Sequence, residues 1–144
     1  MPNPGADLTR PIGWWLKEAD ARLNAAFETA LQGTGVSRRG WQLLTSLARG
    51  PVPKEQLIGA LSAFDSRSEI EADIAELRER GWLVESADEL VQVTSPGTQQ
   101  QQALAPLVGA ARQQVSAALP EQDYAQLISL LSRLVEGLQA RREW

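Results

Sequence analysis

The chain lacks the side chains that most enzymes and redox sensors use for chemistry. Its 144 residues include no cysteine and no histidine. Disulfides, thiolate or imidazole metal ligands, cysteine nucleophiles and histidine general bases are therefore excluded, which leaves only carboxylates, Lys, Tyr, Ser and Thr for catalysis. We expect a protein that is not an enzyme and that uses no metal ion or cofactor.

Long apolar runs and an excess of positive charge are also absent. No apolar stretch approaches the roughly 20 residues that cross a bilayer, and residues 1–10, with Pro2, Pro4 and Gly5, contain no segment typical of a secretory signal. We expect a flexible tail over residues 1–10, no membrane contact and a cytoplasmic location. The formal net charge of -4 argues against broad electrostatic attraction to nucleic acids.

What the sequence does contain is a succession of helical patterns. With 43% apolar and 22% charged residues, it has the composition of a globular domain. Apolar side chains recur at gaps of three and four over residues 11–31, 95–118 and 121–142, which predicts three long amphipathic helices. Pro106 lies inside the second of these and predicts a kink or a later start, while Pro120 separates the second from the third.

Three shorter helices are predicted in the middle of the chain. Ser37 can cap the first of them, and the second covers residues 54–61. Ser66 and Glu69 fit a capping box at the start of the third, in which the serine accepts from the amide of Glu69 and the glutamate accepts from the amide of Ser66. Gly81 suits the left-handed residue that ends this helix.

Two short β segments follow these helices. Residues 82–85 and 90–94 are rich in β-forming side chains, and the four residues between them, Ser86-Ala87-Asp88-Glu89, suit a turn. The link that contains Pro51 and Pro53 is predicted to be extended. The fold class is therefore mainly α with a small β-hairpin.

The order short helix, turn, capped helix and hairpin is that of a winged helix-turn-helix, in which the second helix of the pair enters the major groove. From about Ile12 to Leu138 the sequence resembles the MarR (multiple antibiotic resistance regulator) family of winged-helix transcription factors. The segments that carry the resemblance are Trp41-Gln42-Leu43-Leu44, Glu55-Gln56-Leu57, Arg67-Ser68 with Ile70 and Ile74, Leu77-Arg78-Glu79-Arg80-Gly81, and Val93-Thr94 with Gly97. The resemblance implies a homodimer that binds a palindromic double-stranded operator, and members often release it when they bind a small aromatic ligand.

The expected organisation is a winged helix-turn-helix core at residues 37–94, a dimerisation helix at 11–36 and C-terminal dimerisation helices at 95–142. The long helices carry narrow apolar seams that one small domain would struggle to bury alone, so they predict two interlocked copies. The alternative is a monomer whose long helices fold back onto residues 37–94.

The resemblance places the DNA-binding residues on a recognition helix at about 66–80 and on the cations around it. The candidates are Arg38, Arg39, Lys54, Ser66, Arg67, Ser68, Glu69, Glu71 and Ala72. Trp15 and Trp41 are candidates for the lining of a pocket that takes a flat ligand. Either tryptophan can instead serve as core volume.

Arg67 is the residue most expected to contact a base or a phosphate. The alternative is a surface ion pair with Asp65 or Glu71, which would contribute little. For Glu69, the capping box is favoured over a base contact.

The charge of this region departs from the family pattern. Family wings usually carry an arginine that enters the minor groove. The turn at 86–89 contains no lysine or arginine. Residues 65–80 contain six acids and three arginines, a net charge of -3, and residues 84–91 add another -3. Because DNA binding depends largely on phosphate neutralisation, two hypotheses remain: a DNA-binding regulator, and a winged-helix module whose acidic face docks a basic protein.

Overall fold

The computed structural model describes residues 5–142, with side chains described up to residue 139. Its elements, in chain order, are α1 (Ile12–Ala30), α2 (Arg38–Ser46), β1 (Val52–Pro53), α3 (Lys54–Leu61), α4 (Arg67–Glu79), β2 (Leu83–Glu85), β3 (Leu90–Val93), α5 (Ser95–Ala118) and α6 (Glu121–Arg142). The first four residues of the predicted tail lie outside the described residues, and residues 5–10 form turns and bends. The fold class predicted from the sequence, mainly α with a small hairpin, is confirmed.

The sequence signals at helix ends are confirmed in most places. The Ser37 hydroxyl accepts from the amide of Gly40 at the start of α2, and Gly81 takes a φ of 80° after α4. α5 runs continuously from Ser95 through Pro106, so the later start considered for it is wrong. Within the described residues, no helix combines the length and apolarity that a membrane crossing needs.

The sheet has three strands rather than two. β2 and β3 form the predicted antiparallel hairpin, and β1 pairs with the other side of β3, with Val52 opposite Val91 and Pro53 opposite Leu90. The sequence predicted only an extended link at this point, because a strand of two residues has no periodicity to detect. β1 fixes the start of α3 beside the hairpin, and the amide of Lys54 donates to the carbonyl of Glu89 at 2.9 Å.

The chain divides into two compact units between Val108 and Gly109. The core of the first unit is made by α2, α3, α4, the sheet and the first part of α5. Its most deeply buried large side chains are Leu43, Leu44, Leu47, Leu57, Ile70, Val91, Leu104 and Val108. α4 contributes Ile70, Ile74 and Leu77 at helical spacing, so its opposite face is left to solvent.

The second unit contains the end of α5 and all of α6. Among the residues of α6 whose side chains are described, six large apolar ones are at least 40% exposed: Tyr124, Leu127, Ile128, Leu130, Val135 and Leu138. α1, in the first unit, likewise leaves Ile12, Trp15, Leu16 and Leu23 exposed and has no fully buried residue. Large apolar faces of this kind mark interaction surfaces.

Gly97 joins the hairpin to α5 and is expected to tolerate no side chain. Its amide donates to the hydroxyl of Thr94, which in turn donates to the carbonyl of Gly81. A Cβ at Gly97 would overlap the carbonyl oxygen of Trp82 and lie 2.7 Å from Cγ2 of Val93. Because backbone would have to move, we expect Gly97→Ala to lower the free energy of unfolding by about 1–2 kcal/mol, measured by urea denaturation.

Gly59 provides the matched control for that substitution. It lies on the exposed side of α3 with no atom near its ideal Cβ position, so Gly59→Ala is expected to stabilise the protein by about 0.5–1 kcal/mol. Equal effects of the two substitutions would show that the contact at Gly97 is unimportant.

Candidate nucleic-acid interface

The N-terminal end of α4 is held by Ser66 and Glu69. The Ser66 hydroxyl accepts from the amide of Glu69 at 3.3 Å, which confirms the serine half of the predicted capping box. The glutamate half is wrong within the described residues: the Glu69 carboxylate accepts from the Ser66 hydroxyl at 2.9 Å and from Arg39 at 2.7 Å. The arginine therefore takes the carboxylate that the backbone amide of Ser66 would otherwise use.

Arg39, on α2, ties that helix to the start of α4. Its guanidinium donates to Asp65 at 3.1 Å, to Glu69 at 2.7 Å and to Asp73 at 2.9 Å, a group that we call the Arg39 cluster. The side chains of Arg39 and Asp65 are only 19% and 8% exposed. The hydrogen bond to Asp65 raises the pKa of Arg39 above its ordinary value against the opposing effect of burial, and the bond to Asp73 adds to the rise.

Arg38 is also turned towards an acid and an amide, and its side chain is only 16% exposed. One of its terminal nitrogens lies 3.3 Å from each oxygen of Asp65, and the other donates to Gln42 at 2.9 Å. Its guanidinium carbon lies 5.5 Å from the centre of the Phe64 ring. Residues 65–80 carry a net charge of -3. When Arg38 and Arg39, which bind acids of this segment, are counted with it, the net charge is only -1.

Arg67 lies at the first position of α4 with a 54% exposed side chain, and every nitrogen of its guanidinium donates to a carboxylate. Nε donates to Glu71 at 2.8 Å, Nη1 to Glu55 at 2.8 Å and Nη2 to Glu55 at 2.5 Å. These bonds raise the pKa of Arg67, and the bonds to Glu55 have the largest effect. The bond to Arg67 in turn lowers the pKa of Glu55. The ion pair with Glu71 was one alternative from the sequence, whereas the partner on α3 was missed.

The base of the wing is arranged in the same way. The Lys54 ammonium lies 3.8 Å from one carboxylate oxygen of Glu85, and Arg78 donates to the other at 3.0 Å. Arg80 donates to Glu76 at 2.7 Å. All four cations that the sequence nominated for DNA contact, Arg38, Arg39, Lys54 and Arg67, thus have a carboxylate partner.

The remaining candidates lie on the solvent side of α4. Ser66, Ser68, Glu69 and Ala72 are exposed and Glu71 is partly so. Ser68 and Ala72 lie opposite the buried face formed by Ile70 and Ile74, and their small side chains leave the helix surface open to a close approach. The outer face of α4 is therefore accessible, while the cations beside it are already paired.

The two nominated tryptophans occupy different environments. Trp41 is 5% exposed and belongs to the core of the first unit, which agrees with the core alternative. Trp15, on α1, is 40% exposed and meets Trp14 edge to face at 4.7 Å, while Arg10 lies 3.9 Å from the centre of the Trp14 ring. A small open pocket in the same unit is lined by Gly35, Val36, Ser37, Gly40, Asp73, Glu76, Leu77 and Arg80, and by neither tryptophan.

A helix-turn-helix of α3 and α4, followed by the β2–β3 wing, defines a winged-helix protein. A probable transcriptional regulator from Pseudomonas aeruginosa has the same fold, with 31% sequence identity, a TM-score of 0.74 and coverage of 89% of this chain and 99% of the other. A MarR-family regulator from a Rhodococcus species matches with a TM-score of 0.76 at 23% identity, covering 90% and 97%. Bordetella bronchiseptica BpsR, whose DNA binding is regulated by 6-hydroxynicotinic acid, matches with a TM-score of 0.76 at 21% identity, covering 92% and 99%.

No protein-family model and no curated protein sequence matches the chain. The similarity to solved structures, across nearly the full length on both sides, shows its family. The chain belongs to the MarR family of winged-helix transcriptional regulators.

Proposed function

We propose that the chain acts as a homodimer that binds a double-stranded operator, with the recognition helix at residues 66–80 in the major groove. The observation that carries this proposal is the outer face of α4, where Ser66, Ser68 and Ala72 are exposed opposite the core. A winged-helix protein inserts this face, and the N-terminal part of the helix makes the base contacts. The β2–β3 wing follows directly in the chain, as that mode of binding requires.

The exposed apolar side chains support the dimer. α6 leaves its apolar residues in solvent in the single chain, and α1 does the same. Two copies that interlock through these helices would bury both faces, as the narrow seams in the sequence predict. A twofold dimer would present two recognition helices to the two halves of a palindrome.

A small aromatic ligand is the proposed effector. BpsR responds to 6-hydroxynicotinic acid, and CouR from Rhodococcus jostii was solved with p-coumaroyl-CoA. Trp15 is exposed enough to stack on a flat molecule. Because the sequence has no cysteine, release by oxidation of a thiol is excluded. A regulator of this type acts on the chromosome, so we propose a cytoplasmic location.

Selection of duplexes from a random library, followed by titration at several salt concentrations, tests the proposal. We expect the selection to yield a preferred, palindromic sequence. We also expect the affinity to fall only gently as the salt concentration rises, because the lysine and arginines near α4 already bind carboxylates and can neutralise few phosphates. Each neutralised phosphate contributes about 0.9 to the slope of log K against log salt, so we expect a slope no steeper than about -4 for the dimer.

The second hypothesis, a module that docks a basic protein, is favoured by one observation. Each lysine or arginine named as a candidate for DNA contact is paired with an acidic side chain. The turn at 86–89 adds Asp88 and Glu89 and contains no lysine or arginine. If the selection enriches no duplex even at low salt, while a basic protein binds and is displaced by salt, this hypothesis replaces the first.

A further inference from the structure

We propose that Asp88 and Glu89 keep the turn of the wing out of the minor groove, so that α4 reads the operator through the major groove alone. The inference rests on the proposed DNA-binding function and concerns which base pairs that function recognises. The base pairs that flank the two half-sites would then not affect the affinity. Neither Asp88 nor Glu89 was among the residues that the sequence nominated for DNA contact.

The turn at the tip of the wing is short and closed by backbone hydrogen bonds. The amide of Ser86 donates to the carbonyl of Leu90 at 2.9 Å, and the amide of Glu89 donates to the carbonyl of Ser86 at 3.1 Å. Glu89 takes a φ of 61°, and its carbonyl accepts from the amide of Lys54 at the start of α3. The turn is therefore held in one backbone conformation, in which residues 86–89 are exposed.

The carboxylates of this turn carry charge that no neighbouring side chain offsets. In residues 37–94, all of which the structure describes, neither Asp88 nor Glu89 has a lysine or arginine partner. Five of the six acids at residues 65–80 do bind an arginine: Asp65, Glu69, Glu71, Asp73 and Glu76. Apart from Glu79, the unpaired carboxylates of the winged helix therefore lie at the tip of the wing.

An A·T-rich minor groove offers such a turn no hydrogen bond. Each A·T pair exposes only acceptors there, on adenine and on thymine, and a carboxylate can only accept. A G·C pair adds one donor, the amino group of guanine, between the two phosphate backbones. The narrow minor groove of A-tracts also has an enhanced negative potential, which attracts arginine and repels carboxylates. Entry of this turn would therefore bring like charges together for at most a weak gain in bonding.

The first test uses wild-type protein and two labelled versions of the duplex obtained by selection. Both share the half-sites, while the base pairs outside them are all A·T in one version and all G·C in the other. A recognised base pair changes affinity by about fivefold or more, so we expect dissociation constants from fluorescence anisotropy to agree within about twofold. Hydroxyl-radical cleavage, which occurs in the minor groove, is expected to show no protection outside the half-sites.

The second test removes both charges from the tip, with Asp88→Asn and Glu89→Gln in one full-length chain. The repulsion acts between the tip and the phosphates, whatever the flanking sequence. We therefore expect this variant to bind both duplexes at least about threefold more tightly, and by the same factor.

Glu28→Gln with Glu136→Gln is the matched control. It removes the same number of charges from exposed positions on the polar sides of α1 and α6, outside the winged helix. We expect the control to bind like wild type. Circular dichroism verifies that both variants are folded.

A flank preference above about twofold in the wild type, with protection of the minor groove there, would show that the wing reads DNA. That result would overturn the inference and leave the DNA-binding function intact. If the variant at the tip binds no more tightly than the control, Asp88 and Glu89 do not oppose the approach of the wing. If no duplex is bound even at low salt, the proposed DNA-binding function fails and the inference fails with it.

Discussion

Replacing Arg39 with alanine is expected to lower the free energy of unfolding by about 2–3 kcal/mol. The substitution removes charged hydrogen bonds to Asp65, Glu69 and Asp73 and leaves three carboxylates close together at the start of the recognition helix. Breaking a largely buried ion pair by deleting one partner is costly, because the other partner stays desolvated. The estimate lies below the full cost of a deeply buried pair, since Glu69 is exposed and Arg38 still contacts Asp65.

Urea denaturation at fixed protein concentration measures this effect. Arg22→Ala is the control, because the Arg22–Glu18 pair lies on the exposed surface of α1 with 78% of the arginine side chain accessible. A loss of less than about 0.5 kcal/mol for Arg39→Ala would contradict a structural role for the Arg39 cluster.

Leu127→Asp is expected to separate the proposed dimer and to reduce its affinity for the proposed operator by at least about a hundredfold. Leu127 is 40% exposed in the single chain and lies on the apolar stripe that α6 forms with Tyr124, Leu131, Leu134 and Leu138. A carboxylate in that stripe would have to be buried without a partner in the interface, which is strongly unfavourable. Loss of the dimer then removes one of two recognition helices, and the affinity gained by binding both half-sites together is lost.

Ser129→Asp is the control for this prediction. Ser129 lies on the opposite side of α6, at half a turn from Leu127, so the same charge is expected to leave the dimer intact. Light scattering gives the mass, with 15.7 kDa expected for one chain. If Leu127→Asp keeps the mass and DNA affinity of the wild type, the exposed stripe of α6 is not the dimer surface.

The local features of the fold were predictable because each has a short-range cause. Ser37 and Ser66 cap helices through bonds to amides three residues away, and Gly81 ends α4 by taking a positive φ. The apolar spacing of Ile70, Ile74 and Leu77 fixes the buried face of α4. These signals lie within one or two helical turns, so the sequence alone was enough to locate the winged helix.

The state of the candidate site was not predictable, because it depends on residues far apart in the chain. Glu55 meets Arg67 across 12 positions, and Arg39 meets Asp73 across 34. A count of charges along residues 65–80 gave a strongly acidic surface, whereas several of those acids bind cations that lie elsewhere in the sequence. The strand β1 was missed for the same reason, since its partner β3 lies about forty residues away.

Sedimentation of wild-type protein with a labelled duplex obtained by selection measures how many chains bind one operator. We predict a single complex of two chains per duplex at low salt, formed cooperatively and dissociating only gradually as salt rises. A complex with one chain per duplex, or no complex at any salt concentration, would contradict a homodimer that reads DNA with paired recognition helices.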